Sequence, residues 1–327
     1  MGREVTLVAG SDPGAVTVAR AAIDAAGADV EWREAPAATP DAAGWSALLD
    51  AIRGTETALV GPLGATATIA LRRDLDLYAG LRPRRTVPGV PSRHARVDLV
   101  VIRENTEGLY VDIEFPSGDP ATADLVAFVG RSTGRAIRED AGLSLKANSV
   151  GASERIARFA FAWARAHGRR SVTCGHKANI MKFSDGLFLD AVRRVAADHP
   201  DVAFQERIID ALTMQLVQRP EAFDVLVLPN LFGDLVAELA SGLVGGAGLS
   251  PSADIGDRIA VFGASGAWGE AAGGAVVAHT LAGAMLLRHL GDDGAAARVE
   301  AAVERTLAEG VGERAALADA LVRAAAG

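Results

Sequence analysis

Lysine and cysteine are nearly missing from this chain of 327 residues, and each shortage excludes something. A lone Cys174 rules out an intrachain disulfide and suits a reducing compartment, with a structural thiol as its plainest role. Lys146, Lys177 and Lys182 are the whole lysine complement, so the other thirty of the 33 basic residues are arginine. Where arginine is the default cation, a lysine in a chemical setting stands out. No cluster of basic residues rises above a net charge of −8, which argues against a nucleic-acid surface. No apolar run reaches the ~18 residues of a spanning helix. The opening MGREVTLVAG reads as a strand and not as a secretory signal, so a cytoplasmic location is expected. There is no repeat of fixed period and no low-complexity linker.

What is present is a chain 50% hydrophobic, enough for two domains with real cores. Strand-like EVTLVAG, TALVGP, VDLVVIRE, SVTCGH and FDVLVLPN alternate with amphipathic helical stretches, which implies βαβ units and a mostly parallel sheet. TATIALRRDLDLYAGLRP reads as one helix, AFQERIID as a strand, and GAGLSPSADIG as a glycine-rich loop. From about 116 to 151 the chain turns irregular and reads as an arm or β-extension.

VIRENTEGLY (101–110) begins as an apolar strand and then becomes polar. Arg103 stands at that change, with Arg72 and Arg82 upstream. Planar guanidinium groups bind carboxylates bidentately, so convergence of the three would imply a polycarboxylate ligand; singly, each suits an ordinary ion pair. Asp234 and Glu238 lie one helical turn apart and Asp210 follows an apolar strand, a set suited to a hard divalent cation or, equally, to a capping residue and a solvated one. Lys177, with Asn179 nearby, follows a strand, where a lysine of lowered pKa can act as a base or simply be solvated.

LRRDLDLYAGLRP, VIRENTEGLY, GHKANIMKFSDGLF, DALTMQLVQRPEAFDVLVLPNLFGD and GLVGGAGLSPSADIGD, in this order, resemble the β-decarboxylating isocitrate/isopropylmalate dehydrogenases, above all the NAD-dependent isocitrate branch. The resemblance implies a two-domain α/β fold with a mostly parallel sheet continuing across both domains. One domain would hold 1–88 and 245–327 and the cofactor side; the other, 89–244, would carry the dimer arm and the substrate and metal residues. It implies substrate binding by Arg72, Arg82, Arg103, Thr66, Thr68 and Asn179, acid–base chemistry by Tyr110 and Lys177, and Mg²⁺ or Mn²⁺ held by Asp210, Asp234 and Glu238. It also implies NAD or NADP as cofactor and a homodimer with shared active sites, Lys177 and Asp210 entering the partner's site.

The pattern fails around the cofactor. GASGAWGEAAGGAVVAHT (263–280) replaces the loop that in the family holds adenine; Trp268 is the one residue there with a surface to stack on it. The expected activity is therefore metal-dependent oxidative decarboxylation of a malate-type 2-hydroxy polycarboxylic acid with NAD(P). Two alternatives stay open: a metal-dependent β-keto acid decarboxylase or enolising enzyme without hydride transfer, and a non-catalytic binding or regulatory subunit.

Overall fold

A computed structural model describes residues 2–36, 42–264, 274–310 and 314–327. Trp268 lies outside the described residues. The first part of the chain runs β1 (Arg3–Val8), α1 (Pro13–Ala25), β2 (Val30–Glu34), α2 (Ala42–Thr55), β3 (Thr57–Val60), α3 (Ala65–Asp74) and β4 (Ala79–Arg85). The middle part is β5 (Asp98–Glu104), β6 (Glu114–Phe115), α4 (Pro120–Thr133), β7 (Leu143–Ser144), α5 (Val150–Ala166), β8 (Ser171–His176), α6 (Asp185–Ala197), β9 (Ala203–Ile208), α7 (Ile209–Gln218), β10 (Val225–Leu228) and α8 (Asn230–Leu243). The chain ends with β11 (Pro251–Ile255), β12 (Ala260–Ala264), α9 (Gly274–His289), α10 (Asp293–Ala308) and α11 (Arg314–Ala326).

Ten strands form one sheet in the order β2-β1-β3-β12-β11-β4-β5-β10-β8-β9. Six of the neighbouring pairs are parallel; the three around β11 and β4 (β12–β11, β11–β4 and β4–β5) are antiparallel. The four parallel strands at one end of the sheet thus run opposite to the four at the other. Strands such as β3 and β10 are buried at every position, as parallel strands covered on both faces must be. Helices on the two faces bury alternating stripes; α5, for instance, packs Ile156, Ala160, Phe161 and Ala164. The largest apolar cluster passes from Val5 and Ile23 through Ile102 to Val172 and Phe188 without a break.

Four elements differ from the sequence expectation. The helix expected through LRRDLDLYAGLRP stops at Asp74, and Ala79–Arg85 pairs as β4, because a central strand position outweighs the helical pattern. The irregular arm holds a 14-residue helix, α4, started by Asp119, whose side chain accepts from the Ala121 N–H (2.8 Å), and by Pro120, and ended by Gly134 at φ 69°. Asp210 sits in the first turn of α7 and not at the end of a strand. PSADI in the glycine-rich stretch is strand β11. Among the described residues no helix is long and apolar enough to cross a membrane.

Candidate active site

A cleft of about 530 Å³ opens where β4, β5 and β11 meet the start of α3 and the outer face of α8. Arg72, Arg82, Arg103, Tyr110, Asp234 and Glu238 all line it, and so does Asp254, which sequence reasoning did not single out. Antiparallel pairing explains the gathering. The β4–β5 register sets Gly80 opposite Arg103 and the β11–β4 register sets Asp254 opposite Gly80, so both side chains converge over Gly80 from the two strands that flank β4.

Arg103 is almost fully buried at the end of β5. Its Nε and Nη2 donate to Asn230 Oδ1 at 2.9 and 2.7 Å, and its Nη1 pairs with Asp234 Oδ1. Burial, with the like charge of Arg72, pulls its pKa down to about 10, and Asp234 acts against that fall. The other Asp234 oxygen accepts from the Tyr110 hydroxyl, and the Arg103 guanidinium lies 4.6 Å from the centre of the Tyr110 ring. Burial and the hydrogen bond to Asp234 raise the Tyr110 pKa, which keeps the phenol protonated at neutral pH. The polar run after β5 is thereby divided. Glu104, its pKa raised by burial, folds back to accept from the Thr106 and Glu107 N–H groups at 2.7 and 2.9 Å and builds the turn that brings Tyr110 over the cleft.

Asp254 Oδ1 accepts from Arg82 Nη2 (2.6 Å) and Asn105 Nδ2 (2.9 Å), and Oδ2 accepts from Arg72 Nε (2.9 Å). Burial opposes its ionisation, but the charges and hydrogen bonds of Arg72 and Arg82 overcome that and hold its carboxyl well below the usual range. Arg84 lies beneath, wholly buried; its pKa is pulled down to about 9, first by burial. It donates to Ser241 Oγ (2.8 Å) and the Ala237 carbonyl (3.3 Å) on α8 and to the Pro251 carbonyl (3.1 Å) on β11.

Thr68 lines the cleft but Thr66 does not. Thr68 Oγ1 bonds the Gly64 carbonyl at 3.2 Å within its own helix start. Lys177 and Asp210 lie together and apart from the cleft. Parallel pairing of His176 with Ile208 brings the two following segments side by side, and Lys177 Nζ pairs with Asp210 Oδ2. The Lys177 backbone is fixed by its N–H to buried Asp185 (2.7 Å), which also pairs with Lys146. Asn179 is exposed beside it. Three large apolar side chains near the pair are bare: Ile180, Met214 and Phe183, the last 93% exposed. Among the described residues no group of three or more acidic, His or Cys side chains is close enough to hold a metal, because Asp210 is separated from Asp234 and Glu238. Cys174 is buried, its thiol pKa pushed up first by burial, as fits a packing role.

Arginines and carboxylates facing one another across a cleft in an α/β sheet mark this cleft as the candidate site for a small charged molecule. Residues 14–320 match the family model described as isocitrate/isopropylmalate dehydrogenase. A 3-isopropylmalate dehydrogenase of Archaeoglobus fulgidus is 43% identical over 269 residues, covering 80% of this chain and 76% of that protein. The mitochondrial isocitrate dehydrogenase [NAD] regulatory subunit 2 of Arabidopsis thaliana is 41% identical over 278 residues, covering 80% and 70%. The crystal structure of isocitrate dehydrogenase from Methylococcus capsulatus superposes with a TM-score of 0.85 at 35% identity over 100% of both chains. The chain belongs to the isocitrate/isopropylmalate dehydrogenase family, whose enzymes oxidise and decarboxylate 2-hydroxy acids.

Proposed function

We propose that this chain oxidises a malate-type 2-hydroxy acid with NAD(P) and a divalent cation, then decarboxylates the product. The observation that carries this reading is the Arg103–Asp234–Tyr110 constellation, which sets an anion-binding group, a hard oxygen ligand and a protonated phenol on one cleft wall.

Asp234 and Glu238, one helical turn apart and both on the cleft, fit Mg²⁺ or Mn²⁺; Asp210 of a second copy would complete the set. Bound there, the cation supplies Lewis acidity at the 2-hydroxyl and later at the ketone. Arg72 and Arg103 hold substrate carboxylates. Lys177 of the second copy takes the hydroxyl proton; the small residues Gly61, Pro62, Gly64 and Gly263 on the cleft wall would leave room for a nicotinamide, which when bound would supply the hydride acceptor. Tyr110 then gives its proton to the enolate carbon left as CO₂ departs.

The bare Ile180, Phe183 and Met214 around Lys177 support a homodimer that covers them and completes each site. We assign 1–88 and 245–327 to one domain and 89–244 to the other. The strands of each segment occupy one continuous run of the sheet, meeting at β4 and β5.

The test is an assay of purified protein with 2-hydroxy dicarboxylic and tricarboxylic acids, NAD⁺ or NADP⁺ and Mn²⁺, following both nicotinamide reduction and CO₂. Asp234→Asn should abolish the cation-dependent turnover of the folded protein. Undiminished turnover of that variant, or turnover of the wild type in chelator, would remove the cation from the mechanism. CO₂ from a β-keto acid with no nicotinamide reduction under any condition would remove the hydride step.

A further inference from the structure

Of the three lysines, Lys177 has a part in the proposed reaction and Lys182 is exposed; Lys146 is neither. Its side chain is 13% exposed, and its ammonium pairs with the fully buried carboxylate of Asp185. The ammonium also lies 5.8 Å from the centre of the Phe232 ring on α8. A compact point charge suits so enclosed a seat, whereas a guanidinium is a broader, planar fork. In a chain where thirty of the 33 basic residues are arginine, this is a reason for lysine at 146.

Asp185, at the start of α6, closes the loop that carries Lys177. Its Oδ2 accepts from the Lys177 N–H at 2.7 Å. Its own N–H donates to the Met181 carbonyl (3.0 Å), and the N–H groups of Ile180 and Met181 donate to the Lys177 carbonyl at 3.0 and 2.9 Å. The remaining oxygen, Oδ1, faces Lys146 and accepts from Asn148 Nδ2 at 3.4 Å. Among the described residues Lys146 is the one cation paired with Asp185.

The anchor behind Lys146 is firm. The Ala147 carbonyl accepts from the Gly108 N–H at 3.0 Å, and the Ser149 N–H donates to Glu107 Oε2 at 2.6 Å. Ser149 Oγ accepts from the Ala152 N–H (3.2 Å) as the cap of α5, and Asn148 Nδ2 donates to the Ser184 carbonyl (3.1 Å). Segment 146–149 thus joins the turn leading to Tyr110 on one side to the start of α6 on the other. Changing the side chain at 146 keeps all of these bonds and removes only the ionic tie to Asp185.

We infer that Lys146 is a positioning residue: through Asp185 it fixes the backbone from which Lys177 reaches, and so places the base of the proposed reaction. This rests on that reaction, in which Lys177 acts in the cleft of the second copy. Without Lys146 a buried carboxylate has no counter-charge and must move or draw in water, which releases the Lys177 N–H. A misplacement of about 1 Å is enough to slow a proton transfer strongly.

The experiment compares Lys146→Met with wild type, as full chains, by amide hydrogen exchange and by steady-state kinetics. The assay uses Mn²⁺, NAD⁺ or NADP⁺, and whichever of isocitrate, 3-isopropylmalate and D-malate wild type turns over fastest. The Lys177 amide should exchange roughly tenfold or more faster in the variant. The Val100 amide, bonded to the Asp224 carbonyl at 2.9 Å in the core, should keep its wild-type rate. The kcat should fall roughly tenfold or more with KM changed by less than about threefold. Where Lys177→Arg is already present, Lys146→Met should lower the residual kcat by less than about twofold, because the group it places is gone. If Lys146→Met does not fold, Lys146→Met with Asp185→Asn strands no charge and takes its place with the same expectations. Wild-type exchange at Lys177, or losses in kcat that add in full, would show that the pair only supports the fold and would overturn the inference while leaving the proposed reaction intact. Undiminished kcat in Lys177→Arg alone overturns the proposed base and the inference together.

Discussion

Gly233 is the point where α8 touches β5, and adding one methyl group there separates two kinds of damage. A Cβ at 233 would lie 2.7 Å from both Cβ and Cγ of Arg103 and 3.2 Å from its Cα. These atoms are next to the backbone of a buried strand and cannot rotate aside, so Gly233→Ala must push α8 away from β5. Overpacking of this kind costs about 1–3 kcal/mol. Replacing glycine in a helix returns about 1 kcal/mol. The net loss is about 0–2 kcal/mol, or roughly 0–4 °C in Tm for a chain of this size. Activity should suffer far more, because the displaced residue next in sequence is Asp234. A shift of about 1 Å between Asp234 and the Arg103–Tyr110 pair should cost on the order of 10²-fold in kcat/KM. Gly242, on the same helix, is the control, since a Cβ added there would meet nothing within 4 Å. Gly242→Ala should leave kcat/KM unchanged and raise Tm by about 1–2 °C. Calorimetry and steady-state kinetics on the two variants decide it. Wild-type kcat/KM in Gly233→Ala would show that the close approach of α8 to β5 does not position the cleft.

Two other outcomes are expected. Tyr110→Phe should lower kcat by ~10²-fold or more with KM little changed, and Lys177→Arg should do likewise because arginine keeps its proton at working pH; kcat retained in either variant removes that residue from acid–base chemistry. Stability should also respond to acid through Asp254: its folded pKa lies below the unfolded value of about 4, so its contribution is present above that pH and lost as pH falls below it. The Tm difference between wild type and Asp254→Asn should thus be largest above about pH 5 and shrink below about pH 4; a difference independent of pH between about 3 and 7 would refute the ionised pairing.

The alternation of strands and helices was legible because buried parallel strands and amphipathic helices carry different periods. Arg72, Arg82, Arg103, Tyr110, Asp234 and Glu238 could be nominated from residue type and resemblance, and all six line one cleft. Asp254 could not. PSADI is flanked by glycines and holds an aspartate, which reads as loop, and only its place between β12 and β4 makes it a strand. The same central pairing overrode the helical pattern of DLYAGLRP. α4 was hidden by the glycines and prolines around it, although Asp119-Pro120 is an ordinary helix start. Which arginines are free for a ligand is a matter of partners distant in sequence, such as Arg82 and Asp254, 172 positions apart, and no local pattern encodes it.

Arg84 bears on how the protein can move. A rigid planar fork anchored to the carbonyls of Ala237 and Pro251 fits only one mutual placement of α8 and β11. Asp234, Glu238 and Asp254 are carried by those two elements, so the acidic side of the cleft travels as a single body. Sliding α8 along β11 would strand a guanidinium group in the interior, far from water. Arg84 thus ties the spacing of Asp234 and Glu238 to that of Asp254 for as long as both of its bonds are kept.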